Sequence, residues 1–203
     1  MCAQYSINAP LEKIISYYDV SFNGDPIFKS SDRVFPKQGL PILVQENTSK
    51  GIELVHWGLK PAWMAKMGKS RELINVRADS LLAKPNMRKY LSCRCLIPAT
   101  GFYEWKTEDN GKKTLYHFVK AKNDIFSMAG VVSLNQDNNQ IESFAIVTTE
   151  PNEFVKPIHN RMPLILSKDE EIKWMSNNQN EAAQLLAIYP IRVDLENFAI
   201  SNI

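Results

Sequence analysis

The residue best placed for chemistry stands directly behind the initiator methionine, in MCAQYS. Removal of Met1 would leave Cys2 with a thiol and a free α-amine on adjacent carbons. A terminal α-amine titrates at about 7.7–8.0, so part of it is unprotonated at neutral pH. A thiol becomes a strong nucleophile once its pKa is lowered. Together they can condense with an aldehyde: the amine gives a Schiff base, and the thiol closes a five-membered thiazolidine ring. An incidental cysteine is the alternative.

Further along lie side chains that could serve such a reaction. His159, in IHNRMPLIL, stands in a polar turn before an apolar run, and imidazole moves protons near neutral pH. Glu104, in TGFYEWK, sits between Tyr103 and Trp105; desolvation there would raise its pKa and suit acid–base work. Asn75 and Arg77, in INVRAD, share one face if that run is a strand. The amide could orient a reacting group and the guanidinium could hold a phosphate. Each of these also has a purely structural reading. His56 and His117 fall inside strand-like runs, where packing or surface roles fit better. Cys93 and Cys95 lack the spacing of a zinc pair, and no glycine-rich phosphate loop is present. No metal and no cofactor are expected.

Composition bounds the rest. The chain has 203 residues, 44% hydrophobic and 23% charged, which suits one domain over residues 1–203. No apolar run has membrane-spanning length, and the start does not read as a signal peptide. Cys2, Cys93 and Cys95 do not make a disulfide framework, so a reducing, cytoplasmic setting is expected. The net charge is only +2, but Lys60, Lys66, Lys69, Arg71, Arg77, Lys84, Arg88, Lys89 and Arg94 are opposed only by Glu72 and Asp79. Such a strip suits a polyanion or simply a solvated face.

The elements that must position these residues follow from pattern. Pro10 opens a short helix over Leu11–Tyr18, and a polar loop follows around Asn23–Pro26. Leu40–Gln45 and Gly51–Trp57 read as a hairpin. A helix interrupted near Pro85 is expected over Asp79–Lys84 and Asn86–Leu91. Strands are expected at Arg94–Ile97, Gly101–Lys106, Thr114–Lys120, Ile125–Val132 and Glu142–Thr149. The Asp109–Gly111 turn joins two of them. One helical turn at Asn152–Val155 and a helix at Asp169–Met175 precede the tail. Parallel βαβ units are not visible, so the expected class is α+β, a central antiparallel, barrel-like sheet flanked by short helices.

The order Cys2, LVHWGLKPAW, INVRADSL, RCLIPATGFYEWK and AIVTTEPNEFVKPIHNRMPLIL resembles the SOS response-associated peptidase family, the SRAP domain. The similarity runs over nearly the whole chain. The resemblance implies recognition of abasic sites in single-stranded DNA and a protective thiazolidine cross-link through Cys2 once Met1 is lost. It implies that the Cys2 amine forms the Schiff base and its thiol closes the ring. Asn75 would position amine and sugar. Glu104 would act as acid and base, His159 would transfer protons and help reverse the adduct, and Arg77 and Arg161 would hold phosphates. Self-removal of the N-terminal residue by thiol-peptidase chemistry belongs to the same expectation. So do an SOS setting, a lyase-like step and a monomer acting at the nucleoid. Its partner is DNA rather than membrane, with replication-fork proteins as further partners of unknown identity.

Three stretches depart from the family. Ala3 and Gln4 stand where Gly-Arg is usual. Residues 33–38 (RVFPKQ) replace Asn-Val-Ala-Pro-Thr-Gln, so Arg33 or Lys37 could supply the charge lost at position 4. Pro190, Ile191 and Arg192 replace Pro-Val-Ser. The competing readings are an N-terminal-cysteine amidohydrolase and a non-catalytic single-stranded DNA-binding module.

Overall fold

The computed structural model describes residues 2–20, 22, 28–46, 49–61, 63, 64, 68, 71–135, 138, 140–188 and 198–203. Met1, the Asn23–Pro26 loop, Lys66, Lys69 and the Pro190–Arg192 stretch lie outside them.

The hairpin read from LPILVQ and GIELVHW forms as β3 (Gly39–Glu46) and β4 (Ser49–Trp57), in register from Gly39 opposite His56 to Glu46 opposite Ser49. The middle of the chain supplies β6 (Arg94–Ala99), β9 (Phe126–Leu134) and β10 (Ile141–Thr149). These strands close on themselves. β3 pairs with β4 and β6, β6 with β9, β9 with β10, and β10 with β4. Closure leaves no free edge within the ring. The last pairing, Ser143 opposite His56 and Phe144 opposite Trp57, is parallel. The strands it joins are far apart in sequence and share no helical crossover pattern, so hairpin reading does not reveal it.

β10 changes partner halfway along each side. On one side it leaves β4 for β5 (Asn75–Arg77), again in parallel. On the other it leaves β9 for β11 (Met162–Pro163). The second half of β10 therefore draws INVRAD and HNRMP together. β12 (Ile165–Leu166) continues beside β9.

A second, antiparallel sheet runs in the order β13 (Phe198–Asn202), β8 (Lys113–Lys120), β7 (Gly101–Thr107), β1 (Tyr5–Ile7) and β2 (Ser31–Val34). The turn at Asp109–Gly111 connects β7 and β8, with Gly111 at φ +79°, where glycine alone is unstrained. β6 runs into β7 through Thr100, which links the two sheets covalently.

Helices cover the outside. α1 spans Leu11–Tyr18, with Leu11 and Ile14 buried. Pro85 interrupts the next helical stretch: α2 (Ala78–Ala83) ends at Lys84, which is extended, and α3 (Pro85–Arg88) begins with the proline at its first turn. α4 (Lys168–Met175) opens on a capping box between Ser167 and Glu170, and α5 covers Gln179–Ile188. The Asn152–Val155 helical turn is present as a turn closed by the Val155 and Lys156 N–H groups on the Asn152 carbonyl. Among the described residues no helix is long and apolar enough to cross a membrane.

The barrel interior is packed around Trp57, Phe144, Ile42, Leu96 and Met128, each at most 2% exposed. Gly130 on β9 leaves room for that packing. A Cβ there would lie 2.6 Å from the Cys95 sulfur and 2.7 Å from Ile97 Cδ1. Gly130→Ala should lower stability by about 1–3 kcal/mol through overpacking, read as the urea midpoint at constant m-value.

Candidate active site

The site forms where the start of the second sheet meets the second half of β10. β1 brings the chain terminus alongside β7: Tyr5 pairs with Phe102 and Ser6 with Gly101, and the Gln4 carbonyl accepts the Tyr103 N–H at 3.1 Å. Across the junction, the Trp57 indole donates to the Ile74 carbonyl at 2.9 Å and Tyr5 packs edge-on against Trp57. That contact fixes the entry to β5, and Asn75 follows at once. Asn75 Nδ2 donates to the Cys2 carbonyl at 2.8 Å. Asn75 Oδ1 is buried and has no hydrogen-bond partner among the described residues.

Cys2 is fully buried, and its thiol donates to the Gln4 carbonyl at 3.4 Å. Burial pushes the thiol pKa up, and the nearby Glu104 carboxylate adds to the shift. The lowered thiol pKa that would make Cys2 a strong nucleophile is therefore not what this environment supplies. A charged sulfur would lose its hydration here, and that cost dominates the shift.

Glu104 is 2% exposed on β7, between Tyr103 and Trp105. Burial raises its pKa from 4.5 to about 7, so near neutral pH it is divided between acid and base. His159 Nε2 lies 3.7 Å from Glu104 Oε2. The other ring nitrogen, Nδ1, lies 3.0 Å from the Arg161 amide nitrogen and 3.1 Å from the Arg161 carbonyl oxygen. It can accept from the amide when bare and donate to the carbonyl when protonated. The ring thus has a partner in either state, as a proton carrier requires. Burial lowers the His159 pKa.

Four of the residues singled out in the sequence, Cys2, Asn75, Glu104 and His159, therefore converge on one junction from four separate segments. A family model described as SOS response associated peptidase (SRAP) matches residues 1–202. The chain belongs to this family. It is 31% identical to the abasic site processing protein YoaM of Bacillus subtilis, over all of this chain and 92% of that one. It is 26% identical to the abasic site processing protein YedK of Escherichia coli, over 83% of this chain and 75% of that one. A crystal structure of a Bacteroides thetaiotaomicron protein superposes with a TM-score of 0.81 at 28% identity, covering all of this chain and 92% of that one.

Two arginines flank the site in this SRAP protein, and both are already engaged. Arg161 is half-buried, and its Nη2 donates to the Thr148 carbonyl at 2.6 Å and to Thr148 Oγ1 at 3.3 Å. Arg77 stands opposite Thr148 in the β5–β10 register. It is exposed, with its guanidinium forked onto Asp79 through Nε at 3.0 Å and through Nη2. Sequence reading missed Asp79 and Thr148 as partners. Asp79 stands two residues after Arg77, a spacing that brings the side chains together only because β5 turns directly into α2.

The basic strip is less uniform than its sequence suggests. Arg94 is half-buried and binds the Trp174 and Ser176 carbonyls at the end of α4. Lys60 pairs with Glu72 and Glu142. Where the family's arginine would follow Cys2, Gln4 is half-buried. A cation does approach from β2: the Arg33 guanidinium lies 5.1 Å from the Tyr103 ring centroid, one residue from Glu104.

Proposed function

We propose that this protein captures abasic sites in single-stranded DNA, forming a thiazolidine cross-link through Cys2 after Met1 is removed. The observation that carries the reading is the convergence of a terminal amine-plus-thiol residue with Asn75 and with a buried carboxyl that titrates at about 7. The abasic processing names of its relatives agree with it.

The steps follow from the chemistry of these groups. The Cys2 amine adds to the C1′ aldehyde of the ring-opened sugar, giving a carbinolamine. Protonated Glu104 donates to the departing hydroxyl, water leaves, and a Schiff base remains. The thiol then adds to the imine carbon. Its proton passes through Glu104 or His159, and the nitrogen gains one. The net change is loss of one water. Because burial keeps the thiol protonated, the amine acts first and the sulfur last. Asn75 holds the Cys2 carbonyl, and its unpartnered Oδ1 can accept from the amine or a sugar hydroxyl. His159, satisfied in both protonation states, carries protons to and from Glu104 and supports reversal.

The same ordering disfavours an N-terminal-cysteine amidohydrolase, in which a thiolate must attack first. Removal of Met1 by the protein's own thiol, the peptidase role in the family name, needs that thiolate too and is secondary in this reading.

Arg77 and Arg161 would hold the flanking phosphates, with Arg33 in place of the charge missing at Gln4. Arg77→Ala should weaken binding to intact single strands and flatten the salt dependence by about one phosphate contact, measured as fluorescence anisotropy across salt concentrations. An unchanged slope would remove Arg77 from the DNA surface.

The direct test is intact-mass spectrometry of the Met1-free protein mixed with a strand carrying one abasic site. The expected product is a 1:1 adduct lighter than the sum by one water, absent with undamaged DNA. A confirmed free Cys2 amine with no adduct overturns the proposal.

A further inference from the structure

β1 carries the reactive terminus but is only three residues long, and it meets β7 at just two register positions. Strands this short at a chain end fray unless something else ties them down. Ser6, in the middle of β1, is 1% exposed. Its hydroxyl belongs to a hydrogen-bond chain whose direction can be worked out donor by donor.

The Asn8 N–H donates to Thr100 Oγ1 at 3.0 Å. The Thr100 hydroxyl therefore spends its own hydrogen on Ser6 Oγ, at 3.1 Å. Ser6 Oγ, having accepted, has one hydrogen left, and His117 Nε2 lies 3.2 Å away. With Nε2 bare, the chain runs Asn8, Thr100, Ser6, His117, each hydroxyl donating to the next group. Gly101 makes the approach possible, since a Cβ there would sit 2.5 Å from Nε2 and 2.8 Å from Ser6 Oγ.

The imidazole is held by its faces as well. It stacks on Tyr103 with centroids 4.0 Å apart and planes 7° apart. The Tyr103 hydroxyl donates to the Asp32 carbonyl at 2.8 Å, which ties in β2. On the far side of β8, Ser201 of β13 is the backbone partner of His117. The charged groups facing the ring are Asp32, which favours its protonation, and Arg33, which opposes it. Burial outweighs both and lowers the pKa.

We propose that Ser6 and His117 form a clamp that locks β1 against β7 and β8, making His117 a positioning residue for the Cys2 amine. This rests on the cross-linking reading above. The clamp acts through Tyr103: this stacking partner of His117 is adjacent to Glu104 and donates its N–H to the Gln4 carbonyl, which also accepts the Cys2 thiol. Protonating or deleting the imidazole leaves the Ser6 hydroxyl hydrogen without an acceptor in a buried site, and the strand ahead of it loosens.

The test uses the Met1-free chain and its Ser6→Ala, His117→Phe and His117→Gln variants. Nitrogen-detected NMR of the native protein at pH 7.5 should show Nε2 of His117 unprotonated; a proton on Nε2 overturns the clamp. Affinity for intact single-stranded DNA should stay near native in all variants. The single-turnover cross-linking rate at saturating abasic DNA should fall about tenfold in Ser6→Ala and His117→Phe. His117→Gln, whose amide oxygen can replace Nε2 as acceptor, should recover much of it. Native rates in both disabled variants, or parallel losses of rate and affinity, would overturn the proposal. If the native protein makes no adduct at all, the function reading fails instead. Amide exchange then decides the clamp: Tyr103 N–H should exchange faster in Ser6→Ala, and unchanged protection rejects it.

Discussion

Met1-free Cys2→Ala protein should form no stable adduct with an abasic strand, yet borohydride should trap it on that strand. The two halves of this result separate the amine from the thiol. Alanine keeps the α-amine, and Asn75 still has a residue-2 carbonyl to bind, since that contact is to backbone. The Schiff base therefore forms, but it has no sulfur to close onto it and hydrolyses back. Reduction converts the imine to a secondary amine and captures it. The buried, protonated state of the Cys2 thiol makes the order of events specific: sulfur contributes to the permanence of the product rather than to first attack. A stable adduct in Cys2→Ala would move the chemistry to another residue. Failure of borohydride trapping would show that the amine is not the nucleophile. Release of ammonia from glutamine, lost on the same substitution, would instead favour the amidohydrolase.

Much of this site was legible because its parts lie in locally patterned segments. The two apolar runs up to Trp57 read as a hairpin, and Asp109–Gly111 marked the β7–β8 turn by its own backbone requirement. The aromatic neighbours of Glu104 allowed a desolvated carboxyl while strand alternation equally allowed a solvent-facing one, and the structure buries it to 2% exposure. What escaped was non-local or short. β1 is buried at all three residues and has no alternation to betray it. β5 is a strand only because β10 lends it a parallel partner. α5 does carry helical spacing at Ala182, Leu185 and Leu186, all buried, but a polar start hid it within an apparently loose tail. The direction of the Cys2 pKa shift was equally hidden, since it depends on burial at the junction of two sheets. His117 read as a packing residue because its hydroxyl partner lies 111 positions away.

Replacing Glu104 by glutamine should stabilise the protein at alkaline pH while removing most of its chemistry. The folded pKa of about 7, against 4.5 for the free side chain, means that the fold prefers the neutral carboxyl. The stability from that preference is full below about pH 4.5 and is lost as pH rises through 7. At 1.36 kcal/mol per unit, ionisation at pH 8 costs the native fold about 3 kcal/mol. Glutamine is neutral at every pH and incurs no such loss. The variant should therefore unfold at higher urea than the native protein at pH 8, by up to about 3 kcal/mol, with the gap nearly closed at pH 4.5. His159 and His117 have the opposite sign: their lowered pKa values contribute stability that is present above about pH 6.5 and lost below it. Both proteins share that trend, so the difference between them isolates Glu104. Glutamine cannot give or take the proton, and the cross-linking rate should fall by about 10²–10⁴. A stability gap independent of pH would show that the carboxyl carries no burial cost. A native cross-linking rate in the glutamine variant would show that the protons move by another route. If both expectations hold, the protein keeps an unfavourable buried charge at the one position where the reaction needs a carboxyl that titrates near neutral pH.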